Sequence, residues 1–273
     1  MIEMMPSGLL SKVLAVTCLV LVTAAGVSAQ PPDTVFLEDF TWTELRDAVR
    51  SGKTTIIIPA GGTEQNGPHM ALGKHNARVK ILSERIARTL GDALVAPVIA
   101  YVPEGGITPP TGHMRYPGTI TTPDDAFRKV LESAARSFRA HGFQHIVLLG
   151  DHGSTQAAQK AVAARLNREW ASSAVRVHAI EDYYRAAESE FPELLKARGY
   201  RDAELGRHAG LTDTALMLAT DANMVRTDRL RPGRDGDGVD GDPTRATAEL
   251  GRAGTDLIVS RTVDAIRKSI THR

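Results

Sequence analysis

The sequence predicts an α/β fold, a mainly parallel sheet flanked by helices on both faces, on two observations. Short apolar runs alternate with longer amphipathic stretches along most of the chain, the β-α-β-α order of a parallel sheet with crossover helices. The residues just after "IIIPA", "APVIAYV" and "IVLLGD" would converge on one rim, at the carboxyl ends of strands where open α/β sheets hold ligands.

The elements follow in order. "TTIIIPA" reads as the first strand and "HNARVKILSERIARTL" as the helix after it. "ALVAPVIAYV" reads as a second strand, "DDAFRKVLESAARSFRAHG" as a helix, and "HIVLLGD" as a third strand. "TQAAQKAVAARLNREWA" and "VRVHAI" complete the pattern as helix and strand. From 206 onward "GRHAGLTDTALMLAT" reads as a helix entered through glycine, and "RPGRDGDGVDGDPTRAT" as a loop leading into a last amphipathic helix near 245–270. The Asp-Gly run in that loop lacks the ordered spacing and terminal glutamate of a helix-loop-helix calcium motif. No internal repeat is seen.

Residues 1–29 read as an export signal, to be set aside from the fold. Lys12 precedes the apolar run "VLAVTCLVLVTAAGV", and "VSA" before Gln30 has the small-x-small form of a cleavage site. About 15 apolar residues fall short of the roughly 20 that span a bilayer, so no stable membrane insertion is expected after removal, and the location expected is periplasmic or secreted. A single domain is expected over 30–273. Cys18 is the one cysteine of the chain, so the mature protein would have no disulfide, thiol nucleophile or cysteine-ligated zinc. Acidic and basic residues nearly balance, to a net charge of +1, and only 5% of residues are aromatic. That argues against a nucleic-acid partner and for a small molecule or peptide.

Four side chains from separated segments could meet at the rim of such a sheet. Glu64 and His75 lie in "GGTEQNGPHMALGKHN" after the first strand, His152 in "GDHGST" after the third, and Asp213 near the start of the helix containing His208. Any one alone reads equally as a surface or hydrogen-bonded residue. Their convergence is what points to a metal, and mixed nitrogen and oxygen donors suit zinc or manganese.

"IPAGGTEQNGPHMALGKHN" resembles the first motif of the creatininase (creatinine amidohydrolase) family, a strand followed by Glu-Gln-His-Gly-Pro-His and then an aspartate. "HMRYPGTIT" resembles its segment ending in Pro-Gly-Thr, "LLGDHGST" its Asn-Gly-His-Gly-Gly-Asn motif, "RHAGLTDTALML" its His-Ala-Gly followed by Glu-Thr-Ser, and "GVDGDP" its Gly-Asp-Pro loop. The resemblance runs in order from about 35 to 270. It implies a metal-dependent hydrolase of cyclic or linear amides that assembles as a homo-oligomer, commonly a hexamer, and binds two metals.

Carried over by position, Glu64, His152 and Asp213 are metal ligands, with Asp213 in place of a glutamate. Asn66 stands where the family has a histidine ligand, and His75 where it has the aspartate that bridges the two ions. An imidazole offers one lone pair to one ion, so His75 cannot bridge, and a neutral amide is a poor zinc ligand. The expectation is therefore one zinc or manganese ion per chain at Glu64, His75 and His152, with Asp213 as fourth ligand or proton acceptor. His208 matches a histidine beside the family's substrate and is expected to protonate the leaving nitrogen, while Asn66, His69 and His113 are expected on the substrate side. His141, His145, His178 and His272 have no motif and read as surface or structural residues.

The expected activity is hydrolysis of a small-molecule amide C–N bond, with the metal activating water and polarising the carbonyl. The motifs do not single out creatinine. Two alternatives stand beside it: a binding protein that kept the fold and lost the chemistry, and a lyase or isomerase in which Glu64 abstracts a proton. Bound metal separates the first alternative from the enzyme.

Overall fold

The computed structural model describes residues 33–271. The expected signal segment, with Cys18, and His272 lie outside the described residues. Four strands form one parallel sheet in the order β2-β1-β3-β4: β1 (Thr55–Ala60), β2 (Ala93–Val95), β3 (His145–Gly150) and β4 (Arg176–Ala179). β1 pairs with β3 from Thr55↔His145 to Ala60↔Gly150. The helices are α1 (Trp42–Arg50), α2 (Lys74–Leu90), α3 (Asp124–Ala140), α4 (Gln156–Glu169), the short α5 (Asp182–Arg185), α6 (Phe191–Lys196) and α7 (Asp202–Leu205), then α8 (Leu211–Thr220) and α9 (Ala248–Thr271).

The consecutive isoleucines of β1 are all buried because both faces of the sheet are covered. Alternation along the strand sends Ile57, with Val147 and Leu149 of β3, toward Val79, Leu82 and Ile86 of α2 and Ile258 of α9. It sends Ile56 and Ile58, with Ile146 and Leu148, toward Phe127 and Leu131 of α3 and Val162 and Leu166 of α4. No helix among the described residues is long and apolar enough to cross a membrane.

The second strand is shorter than the sequence pattern suggests. Ala96 N–H still reaches the Ile57 carbonyl at 2.8 Å, but Pro97 has no N–H to continue the ladder. Pairing resumes only as the isolated Ala60↔Ile99 bridge. α8 begins at Leu211 rather than 206, because Ala209 takes a left-handed conformation, φ 54°, that breaks the helix before Gly210.

With β2 on one side of β1 and β3 on the other, the connections after β1 and β3 leave the sheet at its switch point. The glutamate loop after β1 and "DHG" after β3 are therefore adjacent in space. Along α8, α9 passes so near that a Cβ on Gly251 would lie 1.8 Å from the Ala215 carbonyl oxygen. This contact seats α8 under the same rim.

Candidate metal centre and active site

Glu64 is fully buried at the centre of the rim. Its Oε1 lies 2.8 Å from His75 Nε2 and 3.7 Å from His208 Nδ1, and its Oε2 lies 3.2 Å from His152 Nε2 and 3.3 Å from His113 Nε2. Two groups of potential metal donors thus share one carboxylate: Glu64, His75 and His152, and Glu64, His113 and His208. The structure brings five of the residues singled out in the sequence together here. Burial raises the pKa of Glu64, but the imidazoles of His152 and His75 and the charge on Lys74 outweigh it, so the carboxylate form is held well below its usual range.

The other three stand apart. Asp213, expected as ligand or proton acceptor, accepts from Lys74 Nζ at 2.7 Å and the Ala209 N–H at 2.9 Å on Oδ2, and from Arg78 Nη1 at 2.9 Å on Oδ1. Both oxygens are engaged, and against the cost of burial the two cations hold its pKa well below the ordinary value. A proton acceptor it is not, near neutral pH. Asn66 is completely buried, and its Nδ2 donates to the carbonyls of Glu64 at 2.9 Å and Ala71 at 3.0 Å. It ties the glutamate loop to itself. His69 has no exposed surface and sits 3.1 Å from the Thr214 hydroxyl of α8, so its role here is to hold the loop against that helix rather than to meet a substrate.

α2 supplies the scaffold beneath the centre. Lys74 and His75 open its first turn and Arg78 follows one turn on, near the helix end where cations are disfavoured by the dipole, and buried carboxylates compensate. Arg78 donates to Asp151 from Nε at 3.0 Å and Nη2 at 2.7 Å, and the Tyr183 hydroxyl donates to the same carboxylate at 2.6 Å. Asp151 also lies 2.5 Å from His75 Nδ1. Burial raises the pKa of Asp151, but Arg78 and His75 more than reverse this and keep it ionised. His75 therefore donates from Nδ1 to Asp151 and presents Nε2 to Glu64 Oε1, where an ion can take the place of the Nε2 proton, the carboxylate–histidine arrangement that prepares an imidazole for a metal. His152 has the Ser154 hydroxyl 2.7 Å and the Ser154 N–H 3.2 Å from Nδ1. The backbone N–H can only donate, so Nδ1 accepts there and Nε2 carries a proton toward the Glu64 and Glu104 carboxylates, a proton that an ion would replace once the Ser154 hydroxyl turned to accept from Nδ1.

The second group differs in its hydrogen bonds. Gln65 Oε1 accepts from the Gly67 N–H at 2.9 Å, which makes the amide nitrogen the atom 3.0 Å from His113 Nδ1. An amide N–H there fixes His113 as the Nε2–H tautomer. Its face toward Glu64 is a donor. His208 Nε2 donates to the Gln65 carbonyl at 2.9 Å, leaving Nδ1 with a lone pair. Burial, then the charge on Lys74, lowers its pKa to about 3. The two rings stack with centroids 4.3 Å apart and border a cavity of about 400 Å³ whose lining also includes Arg115, Tyr116 and Arg234.

Glu104, which no motif marks, is also at this centre. It is 6% exposed, and its Oε2 lies 3.1 Å from His152 Nε2. Burial, then the charge on Glu64, pushes its pKa up to about 9. Lys74, Arg78, Asp151 and Gln65 were missed as well. The i, i+1 and i+4 spacing of Lys74, His75 and Arg78 shows in the sequence that all three leave the same stretch of helix, but the partners they meet do not show.

A family model described as "Creatininase: Creatinine amidohydrolase" matches residues 38–266. The chain belongs to the creatininase family. It is 25% identical over 204 residues to a creatinine amidohydrolase of Pseudomonas putida, covering 72% of this chain and 75% of that one. It is 27% identical over 237 residues to a mycofactocin precursor peptide peptidase of Mycolicibacterium smegmatis, covering 78% and 84%. A 3-dehydro-scyllo-inosose hydrolase of Thermotoga maritima is 27% identical over 172 residues, 59% of this chain, and the match spans about half, 51%, of that enzyme's length.

The fold is that of creatininase. A crystal structure of creatinine amidohydrolase superposes with a TM-score of 0.73 at 22% identity, covering 89% of this chain and 100% of that one. Two further creatininase structures are described as a Zn-Zn type mutant and a Mn form, with TM-scores of 0.70 and 0.68, both at 24% identity and covering 88% and 87% of this chain and 100% and 99% of theirs. The donor set fits such ions: imidazole nitrogen and carboxylate oxygen, one histidine oriented by a buried carboxylate, and Glu64 Oε2 buried without a hydrogen-bond partner.

Proposed function

We propose that this protein hydrolyses an amide C–N bond with one zinc or manganese ion held by Glu64, His75 and His152. The observation that carries the one-ion reading is what backs each imidazole: the Asp151 carboxylate accepts from His75 Nδ1, so an ion can replace the Nε2 proton, whereas the Gln65 amide donates to His113 Nδ1 and commits His113 Nε2 to its proton. Such an ion would polarise the scissile carbonyl and acidify water beside it. Two of the relatives named above, a creatinine amidohydrolase and a peptide peptidase, support the amide bond as the target.

In this reading His113 takes the donor role first expected of His208. Its Nε2–H faces the same space as Glu64 and can stabilise an oxyanion or reach a leaving nitrogen. Neutral His208 offers a lone pair from Nδ1 and lies against His113, and with a pKa of about 3 it positions rather than exchanges a proton near neutral pH. Glu64 stays ionised. Arg115 and Arg234, which have no ion-pair partner among the described residues, favour an amide that carries a carboxylate.

The test combines metal analysis with a panel of lactams and peptides, with and without a free carboxylate. One ion per chain is expected, lost in His75→Ala together with hydrolysis. Two tightly held ions in the unmodified protein, one of them lost in His113→Ala, would defeat the one-ion reading. Absence of any ion after metal loading would defeat the enzyme.

A further inference from the structure

Resting on that reading, we propose that Glu104 is a further ligand of the same ion, so that the centre consists of two carboxylates and two imidazoles: Glu64, Glu104, His75 and His152. Both oxygens of Glu104 and Oε2 of Glu64 are buried without a hydrogen-bond partner. His152 Nε2 lies 3.1 Å from Glu104 Oε2 and 3.2 Å from Glu64 Oε2. Unpartnered carboxylate oxygens therefore converge on one imidazole nitrogen in a buried space, which is unfavourable unless a cation joins them.

Charge balance specifies the cation. Beneath the centre, Lys74 and Arg78 are matched by Asp213 and Asp151, and this outer set is neutral when His75 is neutral. Glu64 and Glu104 remain. Glu104 has no lysine or arginine partner among the described residues, its one ion-pair contact being His152. Once ionised around an ion, these two carboxylates supply the two negative charges that one divalent ion matches and two such ions would exceed.

The position of Glu104 is built into its loop. Gly62, at φ 148°, leaves room for the carboxylate, since a Cβ there would lie 2.8 Å from Glu104 Oε1. The Glu104 N–H donates to the Thr121 hydroxyl at 2.9 Å, and that hydroxyl donates to the Gly105 carbonyl at 3.1 Å. A side chain on Gly112 would meet the Glu104 carbonyl oxygen at 2.9 Å. The backbone is thus pinned on both sides of the residue.

Glu104→Gln keeps the shape and removes the charge. Metal-free protein is titrated with Mn²⁺ by calorimetry, and the visible spectrum of the Co²⁺ form is recorded. The variant is expected to bind Mn²⁺ at least about tenfold more weakly and to change the Co²⁺ spectrum. Without metal it should melt no lower than the unmodified protein, because the amide keeps the size and shape of the carboxyl group it replaces. Wild-type affinity with an unchanged Co²⁺ spectrum would overturn the proposal and leave the hydrolase reading intact. Weaker Mn²⁺ binding with an unchanged spectrum would overturn it too, by showing that Glu104 acts through another group. Failure of the unmodified protein to bind any ion would remove both readings.

Discussion

Gln65 decides what His113 can do, because its amide has one orientation available once Gly67 N–H has taken the carbonyl oxygen. Gln65→Glu reverses this. A carboxylate there accepts from His113 Nδ1 and still accepts from Gly67, so the proton leaves Nε2 and a lone pair faces Glu64. The variant is expected to bind a second metal ion at Glu64, His113 and His208. Its hydrolysis should fall by about 10²-fold or more with loss of the donor. Metal content that stays at one ion would undercut the tautomer argument. This residue also marks the limit of reading the site from sequence. Glu64, His75 and His152 are legible because their type and place beyond strand ends announce metal chemistry. A glutamine that sets a neighbour's tautomer, or a glutamate such as Glu104 in a glycine- and proline-rich loop, has no periodicity or spacing to announce it. Asp213 was legible as a buried acid of the site but not as the partner of Lys74 and Arg78, since that pairing is made only when α2 and α8 pack.

At the scale of elements, the apolar runs foretold three of the four strands closely and overextended β2, where Pro97 ends a ladder that hydrophobicity alone would continue. At the end away from the metal centre, His178 of β4 lies 2.6 Å from Ser269 of α9 and 3.3 Å from His145. Burial, then the nearby His145 and Arg176, lowers its pKa to about 4 from an ordinary value of 6.5. A depressed pKa means that the unfolded chain binds the proton more readily, so this contribution is whole above pH 6.5 and is lost as pH falls toward 4. Metal-free protein should lose on the order of 2 kcal/mol between pH 7 and pH 5 from this group. Denaturant melts of His178→Asn are expected to show a correspondingly smaller difference between those two pH values. An equal difference in both proteins would show that the β4–α9 contact does not carry the acid sensitivity.

Across the whole molecule, the centre draws on the loops after β1 and β3, the first turn of α2, the Glu104 loop and the entrance to α8. Glu64 and His75 are only 11 residues apart, but His75 and Asp151 are separated by 76, and His208 and Gln65 by 143. The order of events in folding follows from that dispersal. Until β1 and β3 pair and α2 docks, no cluster of donors exists for an ion to grip, so metal should arrive after the rate-limiting step. Free metal at about 100 times its dissociation constant adds about 2.7 kcal/mol to the native state, and if the ion is absent from the transition state this appears as unfolding slowed by about 100-fold, with refolding unchanged. Stopped-flow kinetics with and without Mn²⁺ would read this directly, and refolding that accelerates with metal would instead place the centre among the first structures to form. An ion held there would act as a latch on a finished fold, governing how long the chain stays native rather than how quickly it gets there.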